Sequence, residues 1–283
     1  MEDFQSSKTL SVPNWRRSEE NRAFRSQVVQ WLIHQPNAQC RASAGRACAI
    51  PRVIVQFWHD SANIPDDVGK CLDSWERLRD EGFERRLFDD AQARNFIARN
   101  FAREHVDAFD LCHHPAMRCD YFRMCYILRN GGFYVDADEV YQGAGCDRLF
   151  LDNRLKIRPL CFDMSKKKMA KTRDLLIDTE FPSARRFYLA NDPIIAPADH
   201  PALRFAVERS TRILLQRLGR PDIQSTTGPG NLTAGLVRHV IRNQTERDSW
   251  DFAILHDWER IAASRWSLGY RKDARNWRLL NAR

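Results

Sequence analysis

The sequence predicts an α/β fold in which helices flank a mostly parallel, mixed sheet. β-branched or aromatic runs alternate with helical patterns along most of the chain, and two glycines end one helix directly before a strand. Alternation of this kind is typical of βαβ units, whose helices cover the faces of a sheet. The 283 residues, 43% of them hydrophobic, suit one large domain with a core of useful size.

The first half of the chain has the more regular alternation. β-branched residues mark the first strand, Gly82 ends the first helix, and Pro115 suits a helical first turn. In order, we predict strand 52–58, helix 66–81, strand 86–88, helix 91–101, helix 115–129 and strand 133–136. In the second half, we predict strands 156–162, 186–195 and 253–256, and helices 200–218 and 231–242.

Residues 1–49 are interpreted as an N-terminal helical extension and linker, and residues 50–283 as the α/β domain. Residues 18–35 predict a helix, with Val28 and Trp31 among its apolar face. Residues 42–49 are small or arginine-bearing and predict a linker.

The chain is basic, with 45 lysines and arginines against 37 acidic residues, a formal net charge of +8. Such a surface attracts phosphates, nucleic acid or anionic membranes, or is simply solvated. The longest basic run, 166–168, is short, so we do not expect nucleic-acid binding. No apolar run approaches the ~20 residues that cross a bilayer, and residues 1–4 do not begin a secretory signal. We therefore expect a cytoplasmic protein without a transmembrane segment, and peripheral membrane contact stays open.

The eight cysteines include no Cys-x-x-Cys pair. Cys112, His113, His114 and Cys119 are close in sequence, but their spacing fits no familiar zinc site. We expect buried, reduced thiols.

The segment 114–139 carries the clearest chemical pattern. Its strand ends in Asp136 and Asp138, at the type of strand end where open α/β sheets bind ligands. Two such carboxylates form a solvated turn or hold a hard cation such as Mg²⁺ or Mn²⁺, which also accepts phosphate oxygens. Asp120 and Arg123 are three residues apart on the preceding helix and share a face. They form a local ion pair or contact the hydroxyls and phosphates of a ligand.

These motifs resemble the glycosyltransferases with a sugar-binding region containing a DXD motif, the family 32 type. That group is similar to fungal α-1,6-mannosyltransferases, α-1,4-galactosyltransferases and, more distantly, clostridial glucosylating toxins. The resemblance runs from about Pro51 to Trp258 and is densest in 118–123 and 131–138. Helix, glycine pair and DXD strand occur together in the family's order.

The resemblance implies a GT-A-type, Rossmann-like fold for nucleotide-diphospho-sugar transfer. It implies a Mn²⁺- or Mg²⁺-dependent, retaining hexosyltransferase that uses a UDP- or GDP-sugar and a glycan, glycolipid or polysaccharide acceptor. By resemblance, Asp138 ligates the metal and Asp136 contacts the metal or the donor ribose. Asp120 and Arg123 hold the donor sugar, and Trp58 stacks on the base. Asp120, Arg123 and Asp138 are the expected catalytic set.

Weaker candidates lie in two loops and after the last strand. By resemblance, the loops add donor-binding residues, although a polar turn or a helix cap at Asn231 explains them equally simply. The loop candidates are Asn191, Asp192, Thr227 and Gly228. His256 is a further candidate metal ligand, with Asp257 as its substitute.

Two alternatives remain open on the sequence. A toxin- or effector-like enzyme of the same chemistry would glycosylate a protein. A non-catalytic module would bind nucleotide-sugars without turning them over.

Overall fold

A computed structural model describes residues 18–35, 50–170, 174–175, 184–217, 219–243 and 250–281. The helices are α1 Arg22–Ile33, α2 Asp66–Asp73, α3 Asp90–Asn100, α4 Arg103–Asp110, α5 Pro115–Asn130, α6 Pro201–Leu215, α7 Ile223–Thr226 and α8 Pro229–Arg242. The strands are β1 Val53–Phe57, β2 Glu84–Phe88, β3 Gly132–Tyr134, β4 Glu139–Tyr141, β5 Leu155–Ile157, β6 Pro159–Asp163, β7 Lys168–Met169, β8 Arg185–Leu189, β9 Ile194–Ala196, β10 Phe252–Ile254 and β11 Ala262–Ser264.

A six-stranded mixed sheet forms the centre of the fold, in the order β10-β5-β9-β3-β1-β2. Five strands run in one direction, and β9 runs against its neighbours β5 and β3. Helix α5 packs against β1, β3 and β9. The predicted α/β class, a mixed sheet flanked by helices, is confirmed.

Helix α5 begins at a histidine cap and is joined to strand β3 by a turn that requires glycine. The imidazole of His114 accepts a hydrogen bond from the Ala116 amide, which caps the start of the helix, and Pro115 follows as predicted. Gly131 has a φ of 67°, and a Cβ there would lie 2.8 Å from the Ala198 amide nitrogen. No other residue fits this position without a shift of the backbone.

Several predicted elements differ in detail from the structure. The strand predicted over 186–195 is two strands, because Asn191–Pro193 leaves the small sheet of β6, β7 and β8 before β9 enters the central sheet. The helix predicted over 66–81 ends at Asp73 and continues as a 3₁₀ helix over Ser74–Arg79. Helix α4 was not predicted. Asn231 does not cap α8, since its amide donates to the Ala206 carbonyl in α6.

The described part of the N-terminal extension packs into the main core. Phe24 and Val28 of α1 are fully buried, and α1 contacts β8 and α8. The division of the chain at residue 50 stays a prediction, and the predicted linker at 42–49 lies outside the described residues. Six described cysteines are buried. Within the described ranges, no helix is long and apolar enough to span a bilayer.

Helices α8 and α6 approach each other closely at Gly235. A Cβ at Gly235 would overlap the Ala202 carbonyl oxygen, which is backbone and cannot move alone. We expect Gly235→Ala to lower the free energy of unfolding by about 1–3 kcal/mol, because overpacking outweighs the helix propensity of alanine.

Gly69→Ala is the matched control, since Gly69 also lies inside a helix but a Cβ there meets nothing within 4 Å. Denaturant unfolding should show Gly69→Ala unchanged or more stable by up to about 1 kcal/mol. Equal effects of the two substitutions would contradict the packing argument.

Candidate functional site

The candidate site lies at the carboxyl edge of the central sheet. Asp136 and Asp138 follow β3 at this edge, next to the end of β1. Strand β9 runs the other way, so the residues that precede it, Asn191 and Asp192, lie at the same edge. The Asp136 amide donates to Asp192 Oδ1 at 2.7 Å, which joins the two segments directly.

Arg123 is the centre of the site. Its Nη2 lies 2.8 Å from Asp136 Oδ1 and 3.2 Å from Asp120 Oδ1, and its Nη1 donates to the Asn191 carbonyl at 2.9 Å. The guanidinium also lies over the Tyr134 ring, 4.2 Å from its centroid. Its Nε is buried and has no hydrogen-bond partner within the described ranges. Arg123, which is predicted to contact the donor, therefore joins the DXD strand to the loop that precedes β9.

Asp120 is buried beneath the loop that precedes α8. Its Oδ1 accepts from the Asn191 amide at 2.7 Å, and Thr227 also hydrogen-bonds its carboxyl group. Burial raises the pKa of Asp120 to about 6, although Arg123 opposes the shift. A Cβ at Gly228 would lie 3.2 Å from Asp120 Oδ2, so glycine permits the loop to approach this carboxylate. The structure thus brings both candidate loops, the one with Asn191 and the one with Gly228, to Asp120.

Asp138 is covered by the C-terminal part of the chain. The Tyr270 hydroxyl donates to its Oδ2 at 2.6 Å, and Arg271 pairs with the same oxygen. Its side chain is 14% exposed, against 33% for Asp136. Burial and the nearby charge of Asp136 raise the pKa of Asp138 to about 6. Both of its neighbours lie in the tryptophan- and arginine-rich tail to which the sequence assigned no function.

Two further site residues, Glu139 and Arg158, were missed. Arg158 Nη2 lies 3.1 Å from Glu139 Oε1 and 3.4 Å from Asp192 Oδ2. Burial, together with the charges of Asp136 and Glu139, raises the pKa of Asp192 well above its usual range. Glu139 Oε2 is buried and unpaired among the described residues. Glu139 directly follows the DXD motif, a signal that could have identified it, whereas the sequence around Arg158 gives none.

The acidic site fits a divalent cation. Arg123 and Tyr134 both bind Asp136 through Oδ1, which leaves its partly exposed Oδ2 as a ligand atom. Five carboxyl groups lie among three guanidinium groups, and this surplus of carboxylate oxygens offers the ligand type that a hard divalent cation prefers. The carboxylates are Asp120, Asp136, Asp138, Glu139 and Asp192, and the cations are Arg123, Arg158 and Arg271.

Trp58 lies at the site but is covered. Its side chain is 7% exposed and packs with Ala137 and Leu268. The Tyr270 ring meets it edge to face at 5.3 Å. In this arrangement the indole is next to the DXD motif, and stacking on a base requires Tyr270 to move.

His256 and Asp257 are not brought to the other acidic residues. They follow β10, which lies three strands from β3, about 14 Å at the usual strand spacing. Asp257 pairs with Arg148 at 2.8 Å. Burial lowers the pKa of His256. A ligand role for either residue stays a prediction without support from this geometry.

Another cluster with metal-binding side chains lies at the opposite edge of the sheet. His200, His239 and Asp251 each place a ligand atom within 4.8 Å of the others. His239 Nε2 is 2.7 Å from Asp251 Oδ1. However, His200 Nδ1 accepts from the Ala202 amide, which fixes the proton on Nε2 and directs it to Asp251. This arrangement is a hydrogen-bonded tie between α6, α8 and β10.

The chain carries a sequence region defined by this same motif. Residues 57–149 match the family model of the glycosyltransferase sugar-binding region containing a DXD motif. The matched range contains α5 and β3, and with them Arg123 and both DXD carboxylates. The resemblance drawn from the motifs is confirmed for this region, which is narrower than the range predicted.

Among known proteins, the chain is 29% identical over 92 residues to an uncharacterized glycosyltransferase of Acanthamoeba polyphaga mimivirus. The match covers 32% of this chain and 36% of that protein, so the chain spans about a third of the relative's length. The solved structure of the PaToxG glycosyltransferase aligns with 90% of this chain and 92% of its own, at 12% identity and a TM-score of 0.43. Values this low support no argument about function.

Removing the positive charge of Arg123 should destabilise the fold. We expect Arg123→Met to lower the free energy of unfolding by about 3–5 kcal/mol, because it leaves buried carboxylates without their partner. Thermal or denaturant unfolding measures the loss.

The control is Arg94→Met, which breaks an exposed pair with Asp110 whose side chains are 44% and 42% exposed. It should change stability little, since water screens the pair. A small effect of Arg123→Met would show that the buried network does not hold the site together.

Proposed function

We propose that this protein is a metal-dependent glycosyltransferase that moves a hexose from a nucleotide-diphosphate sugar to an acceptor hydroxyl. The observation that carries the proposal is the contact of Arg123 with Asp120, Asp136 and the Asn191 carbonyl at the carboxyl edge of the sheet. We further propose that residues 50–283 form the transferase domain and that residues 1–49 extend it.

The side chains divide into a sugar-binding part and a diphosphate-binding part. Asp120 and Asn191 present a carboxylate and an amide, which suit the hydroxyls of the donor sugar. Arg123 holds both in place through Asp120 Oδ1 and the Asn191 carbonyl. Asp136 and Asp138 are the proposed metal ligands. A bound Mn²⁺ or Mg²⁺ would neutralise the charge that develops on the nucleoside diphosphate leaving group.

Asp192 and Glu139 help to hold the proposed metal ligands in position. Asp192 accepts a hydrogen bond from the Asp136 amide and so fixes the backbone of the motif. Arg158 pairs with both acids, and the pairing keeps them aligned with the motif. The loop of Thr227 and Gly228 closes the site over Asp120, which excludes water from the donor sugar.

We propose transfer with retention of anomeric configuration. Asp120 and Asp136 are both held by Arg123, so neither is a free nucleophile of the glycosidase type. Positioning and charge stabilisation then supply most of the catalysis, while the acceptor hydroxyl attacks from the face that the diphosphate leaves and passes its proton to the departing diphosphate. The acceptor is the hydroxyl of a glycan, glycolipid, polysaccharide or protein, and membrane contact through basic side chains stays a prediction.

Donor binding should depend on the metal and on Asp138. We expect one of the UDP-, GDP- or CMP-sugars to raise the melting temperature of the wild type only with Mn²⁺. Asp138→Asn should abolish the shift, because an amide is a weaker ligand than a carboxylate. Asp110→Asn, at an exposed pair, should retain it. The absence of any Mn²⁺-dependent shift in the wild type would contradict the proposed site.

Turnover separates an enzyme from a nucleotide-sugar-binding module. With the donor so identified, the wild type should release nucleoside diphosphate and transfer sugar to an acceptor in lysate or lipid extracts. Asp138→Asn should lower the rate at least 100-fold, on the order of the effect of removing one electrostatic contact in a transition state. The product's anomeric proton, observed by NMR, should show retention. Tight binding without hydrolysis or transfer would favour the module instead.

A further inference from the structure

The residues 265–272, here called the strap, cross the candidate donor site. The strap follows β11, which pairs with β4 directly after the DXD motif. The Arg265 amide donates to the Asp138 carbonyl at 2.8 Å, and the Gly269 amide donates to Asp67 Oδ2 at 2.7 Å. The strap is thus fixed on both sides of the motif, by β4 and by α2.

One strap residue covers two predicted donor contacts at once. The hydroxyl of Tyr270 donates a hydrogen bond to Asp138, and its ring meets Trp58 edge to face. Leu268 is 5% exposed and packs in the same cluster as Trp58. A base cannot stack on this indole while the strap remains in place.

Arg271, the next strap residue, places a positive charge against the carboxylate that is the proposed metal ligand. Arg271 pairs with Asp138 Oδ2, the oxygen that Tyr270 also binds. The two charged side chains are only 16% and 14% exposed, so water screens their attraction weakly. Arg271 also lies over the Trp266 ring at 4.5 Å and donates to the Arg265 carbonyl. These contacts lie within the strap, so Arg271 has partners there that do not depend on Asp138.

We propose that Arg271 is an internal competitor of the divalent cation for Asp138, and that the strap opens when Arg271 yields this carboxylate to the metal. Arg271 and Tyr270 are positioning residues: they hold the Asp138 carboxylate and cover Trp58 until the donor site is loaded. The proposal rests on the proposed function, because it requires that Asp138 bind a metal.

The competition has a measurable size. When a ligand binds only the open form, its apparent dissociation constant rises by the inverse of the fraction that is open. A strap that is open about one tenth of the time would weaken metal binding about tenfold. The contacts of the strap with Asp138, Asp67 and Trp58 favour closure, whereas the surplus of carboxylate oxygens at the site favours the metal.

The test is Mn²⁺ binding by electron paramagnetic resonance, without donor or acceptor. We expect Arg271→Met to lower the Mn²⁺ dissociation constant about tenfold relative to the wild type. Arg271→Lys, which keeps the charge, should stay closer to the wild type. Arg275→Met is the matched control, since Arg275 pairs with Asp273 just after the strap and its loss changes net charge equally.

Hydrogen exchange gives a second readout that a purely structural role would not change. Mn²⁺ should speed the exchange of strap amides, above all Gly269, in the wild type. In Arg271→Met, those amides should already exchange fast without metal.

The outcomes separate the two proposals. Equal Mn²⁺ affinity of the wild type, Arg271→Met and Arg275→Met, with binding lost in Asp138→Asn, would overturn the competition and leave the metal site intact. Failure of the wild type and of Arg271→Met to bind Mn²⁺ would overturn both. Tighter binding in Arg271→Met together with unchanged strap exchange would show that removing charge alone accounts for the effect, and would also overturn strap opening.

Discussion

The site depends on one buried cation. Arg123 lies between carboxylates from its own helix and from the strand that follows, and it donates a hydrogen bond to a carbonyl of a third segment. Burying a charge is costly unless it is paired and hydrogen-bonded, so these partners must be in place for the fold to be stable. The geometry of the ligand site is therefore coupled to the stability of the core. The Tyr134 ring beneath the guanidinium closes the remaining face.

The charges at this edge are not balanced by the protein alone. The acidic side chains outnumber the arginines, and the pKa values of Asp120 and Asp138 are raised mainly by burial. Groups with shifted pKa values cluster at functional sites because binding and catalysis require charges that folding alone would avoid. The C-terminal tail supplies part of the missing positive charge. The pair of Arg271 with Asp138 joins this tail to the domain.

Local patterns predicted much of the fold and the centre of the site. The Pro115 start and the Gly131 stop defined α5, and the three-residue spacing correctly joined Asp120 to Arg123. The roles assigned to these residues remain proposals. The sequence could not place Arg158 or Arg271, because their partners are 19 and 133 residues away and no local pattern encodes that distance. His256 resembled a late ligand in sequence order, but strand order separates it from the motif.

Strand β9 has a consequence for how the chain tolerates insertions. It is the one central strand that enters the sheet at the edge where its neighbours leave it, so the four residues between β8 and β9 reach the site from the side. Side chains alternate faces along an extended chain. One added residue in 190–193 would turn Asp192 away from the Asp136 amide, or shift β9 by one register step and expose its buried side. Length variation in the chain should therefore spare this connection.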